Sequence, residues 1–436
     1  MRACHDSIHR WVVCCVVALT LLMVHSESGA QSRTRKTPNA EAIPAGGVRL
    51  YTSPNFRLVT DLSEEDAEAL LVRLETMIKL VSGYWGRRLT KTIDMYVAED
   101  ISKWPADVLA QMSPRGISQI EGRAGVTEAV VQSIGGRPVN SEAVVYAVAD
   151  HGTPQHEAVH AYCSLTFGET GPVWYSEGMA EVGQYWKEGD KSVSAPDIVI
   201  EYLTQSEPKS LNDIVNNPLE TTGDSWQNYA WRWALCHLLG FNENYTDRFK
   251  PLGLALLGGG NIDFWQVYGA QATEIEFEYK FFLEHLEPGY RVDLCSWDWK
   301  SKFIAPRSSG TAIKLRADRG WQASKVRVEA GQAYSFECAG EWTLGGEEGN
   351  DADDSAAARR DDAASEPVTA DGDASGKGRV VACIFKDYEL TEEFDWGASG
   401  TWTAPQDGWL FLRCRDDWGR LADNKGAVTC KIKLVK

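Results

Sequence analysis

The apolar residues of this chain keep one spacing up to about Pro288 and another from about Ala312, and a single layer of structure cannot serve both. Past Ala312 they alternate with polar residues: Val326 and Val328; Tyr334, Phe336 and Cys338; Val381, Cys383 and Phe385; Leu410, Leu412 and Cys414; Val428, Cys430, Ile432 and Leu434. Short runs of period two, broken by turn pairs such as Asp407-Gly408, are the pattern of a β-sandwich whose inner faces these residues fill. Before the stop signal Glu287-Pro288-Gly289 the spacing is mainly helical, with a few early strands. An α+β part followed by an all-β part is the expectation, and 436 residues are enough for two domains.

In the first part, Ser63-Glu64-Glu65-Asp66 has capping-box spacing and opens a helix through Leu70, Leu71, Leu74, Met77, Ile78 and Val81, apolar on one face. Arg57 to Thr60, Ile93 to Val97 and Ala143 to Ala149 read as strands. Gly346 to Gly378 is Asp, Glu, Ala, Ser and Gly with almost no large apolar residue, too little to offset the entropy of ordering, and is expected to be a disordered acidic insertion in the sandwich. The expected layout is a linker at 31–47, an α+β domain at 48–292, a linker at 293–311 and the sandwich at 312–436.

At the N-terminus, Arg2 and Arg10 flank the start of an apolar run from Trp11 to Val24, and the small residues Ser28 and Ala30 stand three and one before Gln31. The run is shorter than the roughly 20 residues that cross a bilayer. Residues 1–30 therefore read as a cleaved signal peptide, and the mature chain is expected to lie outside the cytoplasm, secreted, periplasmic or at the cell surface, with no membrane span. Cleavage leaves Cys163, Cys236, Cys295, Cys338, Cys383, Cys414 and Cys430, an odd set that cannot all pair. Cys414 and Cys430, on the apolar faces of two strands around a polar loop, are the preferred pair, with two buried thiols as the alternative. The absence of CxxC removes the usual evidence for zinc-ribbon or thioredoxin chemistry. Lys plus Arg total 44 against 62 Asp plus Glu, a net charge of -18, which argues against nucleic-acid and anionic-lipid partners.

The chemistry concentrates at Thr153-Pro154-Gln155-His156-Glu157-Ala158-Val159-His160. Thr153 reads as an N-cap and Pro154 as the first helical position, so His156 and His160 fall one turn apart on the same helix face, with Glu157 beside them. This is the HExxH spacing of a zinc protease. A hydrolytic zinc site needs a third protein ligand, and Glu177, in Trp174-Tyr175-Ser176-Glu177-Gly178-Met179-Ala180-Glu181, is positioned to supply it. Glu181, one turn further, can accept the N–H of a zinc-bound imidazole and fix its tautomer. Ser176 lacks a GxSxG elbow, and Gly258-Gly259-Gly260 lacks a following Lys-Ser or Lys-Thr, so both read as structural.

HEAVH, WYSEGMAE and the later Tyr229-Ala230-Trp231-Arg232-Trp233-Ala234-Leu235 together resemble the peptidase MA-like gluzincin metallopeptidases, over about Val48 to Tyr290. The resemblance implies a mixed sheet with helices and a helical C-terminal part, zinc held by His156, His160 and Glu177, and Glu157 as general base. It also implies a further oxyanion donor, for which Tyr229 is the candidate. Tyr229, Trp233 and His237 recur every four residues on one helix face, however, which is equally the pattern of a core stripe.

In the second part, Val328-Glu329-Ala330-Gly331, Cys338-Ala339-Gly340-Glu341-Trp342, Gly378-Arg379-Val380-Val381-Ala382 and Arg415-Asp416-Asp417, leading to Ala422-Asp423-Asn424-Lys425-Gly426, are similar to the small calcium-dependent galactose-binding lectins of the LecA type. That resemblance implies calcium and sugar binding at Asp416, Asp423 and Asn424. Asp423 stands where the family has Asn, and Arg420 where it has a metal- and sugar-binding Thr. Trp418 could stack on a sugar ring or simply pack. The expected function is a secreted zinc metallopeptidase acting on peptide or protein substrates, docked on glycans by its C-terminal module. The competing reading is a non-catalytic, calcium-dependent glycan- or surface-binding protein with a structural or degenerate HExxH domain.

Overall fold

The computed structural model describes residues 47–134, 137–150, 152–216, 225–345 and 366–435. Residues 1–30, expected as a signal peptide, residues 31–46 of the expected linker, His151 and residues 346–365 of the expected acidic insertion lie outside the described residues. The chain forms two compact units. One combines the residues up to Gly189 with Lys209–His237 and Arg248–Val267, and the other combines Asp190–Pro208, Leu238–Asp247 and Tyr268–Lys436.

The first unit is built on a five-stranded mixed sheet of β1 (Arg49–Thr52), β2 (Phe56–Thr60), β3 (Ile93–Ala98), β4 (Gly125–Ile134) and β5 (Arg137–Val148). The order is β1-β2-β3-β5-β4, with β2, β3 and β5 parallel and the two outer strands antiparallel to their neighbours. Helix α1 (Glu64–Trp85) begins as expected: the Ser63 hydroxyl accepts from the Asp66 N–H, and Leu70, Leu71, Leu74, Met77, Ile78 and Val81 are all buried. Between β3 and β4 come α2 (Ala106–Leu109) and α3 (Pro114–Glu121). After β5, α4 (Thr153–Phe167) packs along β5 and β4, and α5 (Val173–Tyr185) packs against α4. The helical stretch continues with α6 (Asp197–Gln205), α7 (Leu211–Asn216), α8 (Trp226–Phe241), α9 (Thr246–Leu257), α10 (Phe264–Tyr268) and α11 (Ala272–Glu284).

Helix α4 starts differently from the expectation. Thr153 is already helical, and the N-cap is Gly152 with φ of 75°, a left-handed conformation that costs glycine nothing. A side chain there would also collide with Gln184, which an added Cβ would approach to 2.7 Å.

The second unit contains α6, α11 and the sandwich. One sheet is β10-β9-β13-β7, from β7 (Gln322–Val328), β9 (Val380–Lys386), β10 (Glu389–Leu390) and β13 (Gly408–Cys414), with β11 (Phe394–Asp395) also paired to β9. The other is β12-β8-β14-β6, from β6 (Thr311–Arg316), β8 (Ala333–Thr343), β12 (Ser399–Thr403) and β14 (Lys425–Leu434). Every pairing is antiparallel. Val326, Val328, Tyr334, Phe336, Leu410, Leu412, Val428 and Ile432 fill the core between the sheets, as their alternation requires.

Strand β9 departs from the expected one-sided pattern. Val380, Ala382 and Ile384 enter the inter-sheet core, whereas Val381, Cys383 and Phe385 face the other way, against Phe277 and Phe281 of α11 and Trp297. Val-Val-Ala-Cys-Ile-Phe is a continuous apolar run, and such a strand is stable only when covered on both faces. Leaving three such side chains in water would forgo roughly 1.5 kcal/mol or more apiece, and Trp297, 4.1 Å from Phe411 between ring centroids, helps to provide the cover. Trp418 packs rather than stands free: its ring stacks on His285 at 4.6 Å, with the Arg413 guanidinium 4.1 Å from its centroid. Within the acidic stretch, residues 366–378 are tied down: Val368 exchanges two backbone hydrogen bonds with Trp342, and Ala370 is buried.

Candidate metal centre

Helices α4 and α5 bring His156, His160 and Glu177 together. His156 Nε2 lies 3.2 Å from Glu177 Oε2 and 3.2 Å from His160 Nε2, and His160 Nε2 lies 3.3 Å from the same carboxylate oxygen. All three side chains are buried, and among the described residues this is a group of ligand-type side chains that could hold a metal ion. The i, i+4 spacing places both imidazoles on one face of α4, and α5 crosses that face with Glu177 aimed at them.

The other nitrogen of each imidazole is also engaged. Glu181 Oε1 lies 3.1 Å from His156 Nδ1, the tautomer-fixing contact expected for it. Ser176 Oγ lies 3.2 Å from His160 Nδ1, a partner the sequence reading missed because a serine beside a ligand carries no signal of its own. Both Nε2 atoms are thereby directed at Glu177 and at each other. Burial alone would depress the His156 pKa, but the Glu177 and Glu181 carboxylates outweigh it and hold the imidazole well above its ordinary value. For Glu177, burial acts to raise the pKa, and the two histidines overcome it and hold the carboxyl well below the usual range. The two carboxylates thus favour the protonated imidazole. A metal ion competes with that proton, so metal affinity rises with pH.

Glu157 stands apart from the three. Its carboxylate receives the Thr127 hydroxyl from β4 at 2.9 Å, a hydroxyl that also lies 2.7 Å from the Glu157 carbonyl oxygen. Burial lifts its pKa above the ordinary carboxylate value, offset in part by His160, His156 and Thr127. At the start of β4, Gly125 lets the edge strand pass close: a Cβ there would lie 2.7 Å from Glu157 Cγ. Neither Thr127 nor Gly125 is flagged by sequence, because strand β4 itself was not recognised. Tyr229, on α8, is buried with its ring centroid 5.7 Å from that of His156 and the Arg232 guanidinium 5.3 Å from its own. Trp233 and His237 are buried too, so the stripe belongs to the core while its first member borders the site.

Glu181→Gln keeps the shape of the side chain but removes the charge that favours a metal-bound imidazole. Metal affinity, measured by competition with a chelator, is expected to fall roughly tenfold, at the low end of the range for such supporting partners. Unchanged affinity would mean that Glu181 does not support His156.

In the second unit the three C-terminal candidates do not converge alike. Asp416 and Asn424 are buried together, with Asn424 Nδ2 donating to Asp416 Oδ2 at 2.9 Å and Asn424 Oδ1 accepting from the Gly345 N–H at 3.1 Å. Asp423 is itself exposed, at the end of the short turn Trp418–Asp423 that buries Leu421, with its carboxylate 3.9 Å from Arg420. Asn424 is thus tied to both Asp416 and the backbone.

No model of a known protein family matches the chain, and no curated protein matches it. Solved structures that are similar to it include one described as "EclA N-terminal domain; PllA-like lectin", 16% identical over 28% of this chain and 95% of that one, with a TM-score of 0.21. Another is the IMPa metallopeptidase from Pseudomonas aeruginosa, 10% identical over 79% of this chain and 37% of that one, with a TM-score of 0.17. Scores this low carry no conclusion about the present chain. Among the described residues, no helix is long and apolar enough to cross a membrane.

Proposed function

We propose that this chain is a zinc-dependent peptide hydrolase of the gluzincin type, exported after loss of residues 1–30. The observation that carries the reading is the spacing of the three donor atoms. Ligands 2.0–2.1 Å from a tetrahedral ion stand about 3.3 Å from one another, and the separations here are 3.2, 3.2 and 3.3 Å. Two imidazoles and one carboxylate suit zinc, and three protein ligands rather than four are the mark of a catalytic site with an open position.

When bound, the ion supplies Lewis acidity, polarising a carbonyl oxygen and acidifying a water. The chain's own groups do the rest. Glu157, held by Thr127 and raised in basicity by burial, takes a proton from the attacking water and returns it to the departing amine. His156 and His160 are kept in one tautomer by Glu181 and Ser176. Tyr229, bordering His156, is the candidate donor to the carbonyl oxygen as negative charge develops on it. A purely structural metal site would need no such base, which favours the hydrolase over the binding-protein reading. The role of the sandwich in docking on glycans, with calcium at Asp416, Asp423 and Asn424, rests on the sequence resemblance.

Elemental analysis of the purified protein tests the reading. About one zinc per chain is expected, lost in the His156→Ala, His160→Ala double variant. Failure of the wild-type chain to take up zinc on reconstitution would overturn the proposal.

A further inference from the structure

Strands β8 and β14 are antiparallel neighbours, and their register sets Cys338 directly opposite Cys430. The hydrogen-bond directions show what kind of pair this is. The Cys338 N–H donates to the Ala398 carbonyl, next to β12, so the backbone of Cys338 points away from β14. The Gly426 carbonyl accepts from the Ala317 N–H beside β6, and by alternation Cys430, four residues on, also turns its backbone away from β8. Cys338 and Cys430 are therefore a non-hydrogen-bonded pair, the kind whose side chains lie nearest. Such residues have Cα atoms about 4.5 Å apart, within the roughly 4.4–6.8 Å that a disulfide spans.

Both side chains belong to the inter-sheet core, and the Cys338 thiol interacts directly with that of Cys430. Cys414, the partner expected from sequence, occupies the same core from β13 in the opposite sheet. By register Cys414 lies opposite Val380, whereas Cys430 lies opposite Cys338.

We propose that Cys338 and Cys430 form a disulfide that staples β8 to β14. The oxidant is a small-molecule or protein disulfide. The Cys338 thiolate attacks it, forming a mixed disulfide and releasing one thiol, and the Cys430 thiolate then attacks the Cys338 sulfur and releases the second. Two protein thiols lose their protons and two electrons, and the oxidant's disulfide is reduced to two thiols. The neighbouring Cys430 thiol and burial raise the Cys338 pKa, so exchange is slow once the core has closed, and the bond forms as the chain folds. It closes a loop from residue 338 to residue 430, and long loops are where such a bond constrains the unfolded chain most. It also ties together two strands whose ends meet at the Gly345–Asn424 hydrogen bond.

The test is to refold the full chain with oxidised and reduced glutathione, alkylate free thiols under denaturing conditions and map a non-reducing digest by mass spectrometry. A linked peptide pair containing Cys338 and Cys430 is expected, with Cys414 alkylated. Adding a reductant should lower the melting temperature by roughly 10 °C. Cys414→Ala should keep both the link and that shift, and Cys338→Ala should lose both. Alkylated Cys338 and Cys430 in the folded, oxidised protein, or a link from Cys430 to Cys414, would overturn the proposal.

Discussion

Glu157→Gln is expected to lower the hydrolysis of an unfolded protein substrate by about 10²–10⁴-fold while leaving about one zinc per chain. The separation of the two effects follows from the geometry. The three donor atoms come from His156, His160 and Glu177, and Glu157 contributes none of them. A glutamine at 157 can still accept the Thr127 hydroxyl through its carbonyl oxygen, so the local packing is kept and only the capacity to take a proton is lost. Removal of a general base acts on proton transfer in the transition state, so the loss belongs in kcat more than in KM. Activity within a few fold of wild type would exclude Glu157 as the base. Loss of zinc along with activity would place Glu157 in the metal's support instead. If neither protein turns over substrate yet both bind zinc, the binding-protein reading gains.

The helix carrying the site was legible because His156 and His160 leave few alternatives at one-turn spacing, and Glu177 because a hydrolytic site needs a third donor. Its supports were less legible. Glu181 could be foreseen from its i, i+4 relation to Glu177, but Ser176 and Thr127 act through contacts between separate elements that no local spacing encodes. The sandwich residues followed their alternation except in β9, where a continuous apolar run satisfies two faces and either phase of a period-two reading looks correct. For the cysteines, Cys414 and Cys430 are both buried free thiols, the alternative to their pairing; alternation says that Cys338, Cys414 and Cys430 point inward, but strand order decides which of them are neighbours. For Trp418 the sequence left sugar stacking and simple packing open, because the ring it stacks on, His285, is 133 residues away in the chain.

Glu278 of α11 is the clearest feature that no sequence pattern announced, and it supports the second large prediction. Its buried carboxylate accepts five hydrogen bonds. Asn244 Nδ2, the Tyr245 hydroxyl and Trp299 Nε1 reach Oε1 at 3.0, 2.6 and 2.7 Å, and Asn242 Nδ2 and the Trp297 N–H reach Oε2 at 2.6 and 3.0 Å. Burial still lifts its pKa above the ordinary carboxylate value, so ionising it there carries a cost that the donors only partly offset. Glu278→Gln removes that cost but sets an amide N–H₂ against the donors. Turned one way it faces the Trp297 N–H, and turned the other it faces Trp299 Nε1; neither group can become an acceptor. Asn242 is not free to flip, because its Oδ1 already accepts from the Asn244 N–H at 2.8 Å. With one or two buried donors unmet at about 1–3 kcal/mol each, the expected loss is about 3 kcal/mol, and Glu278→Ala, which adds a cavity, should lose more. Urea unfolding midpoints of the two variants measure this, with zinc content as the control that the metal centre is intact. A loss below about 1 kcal/mol for both would mean that the five bonds merely replace those the carboxylate makes to water, and that α11 is held by its apolar face against Val381, Cys383 and Phe385 alone.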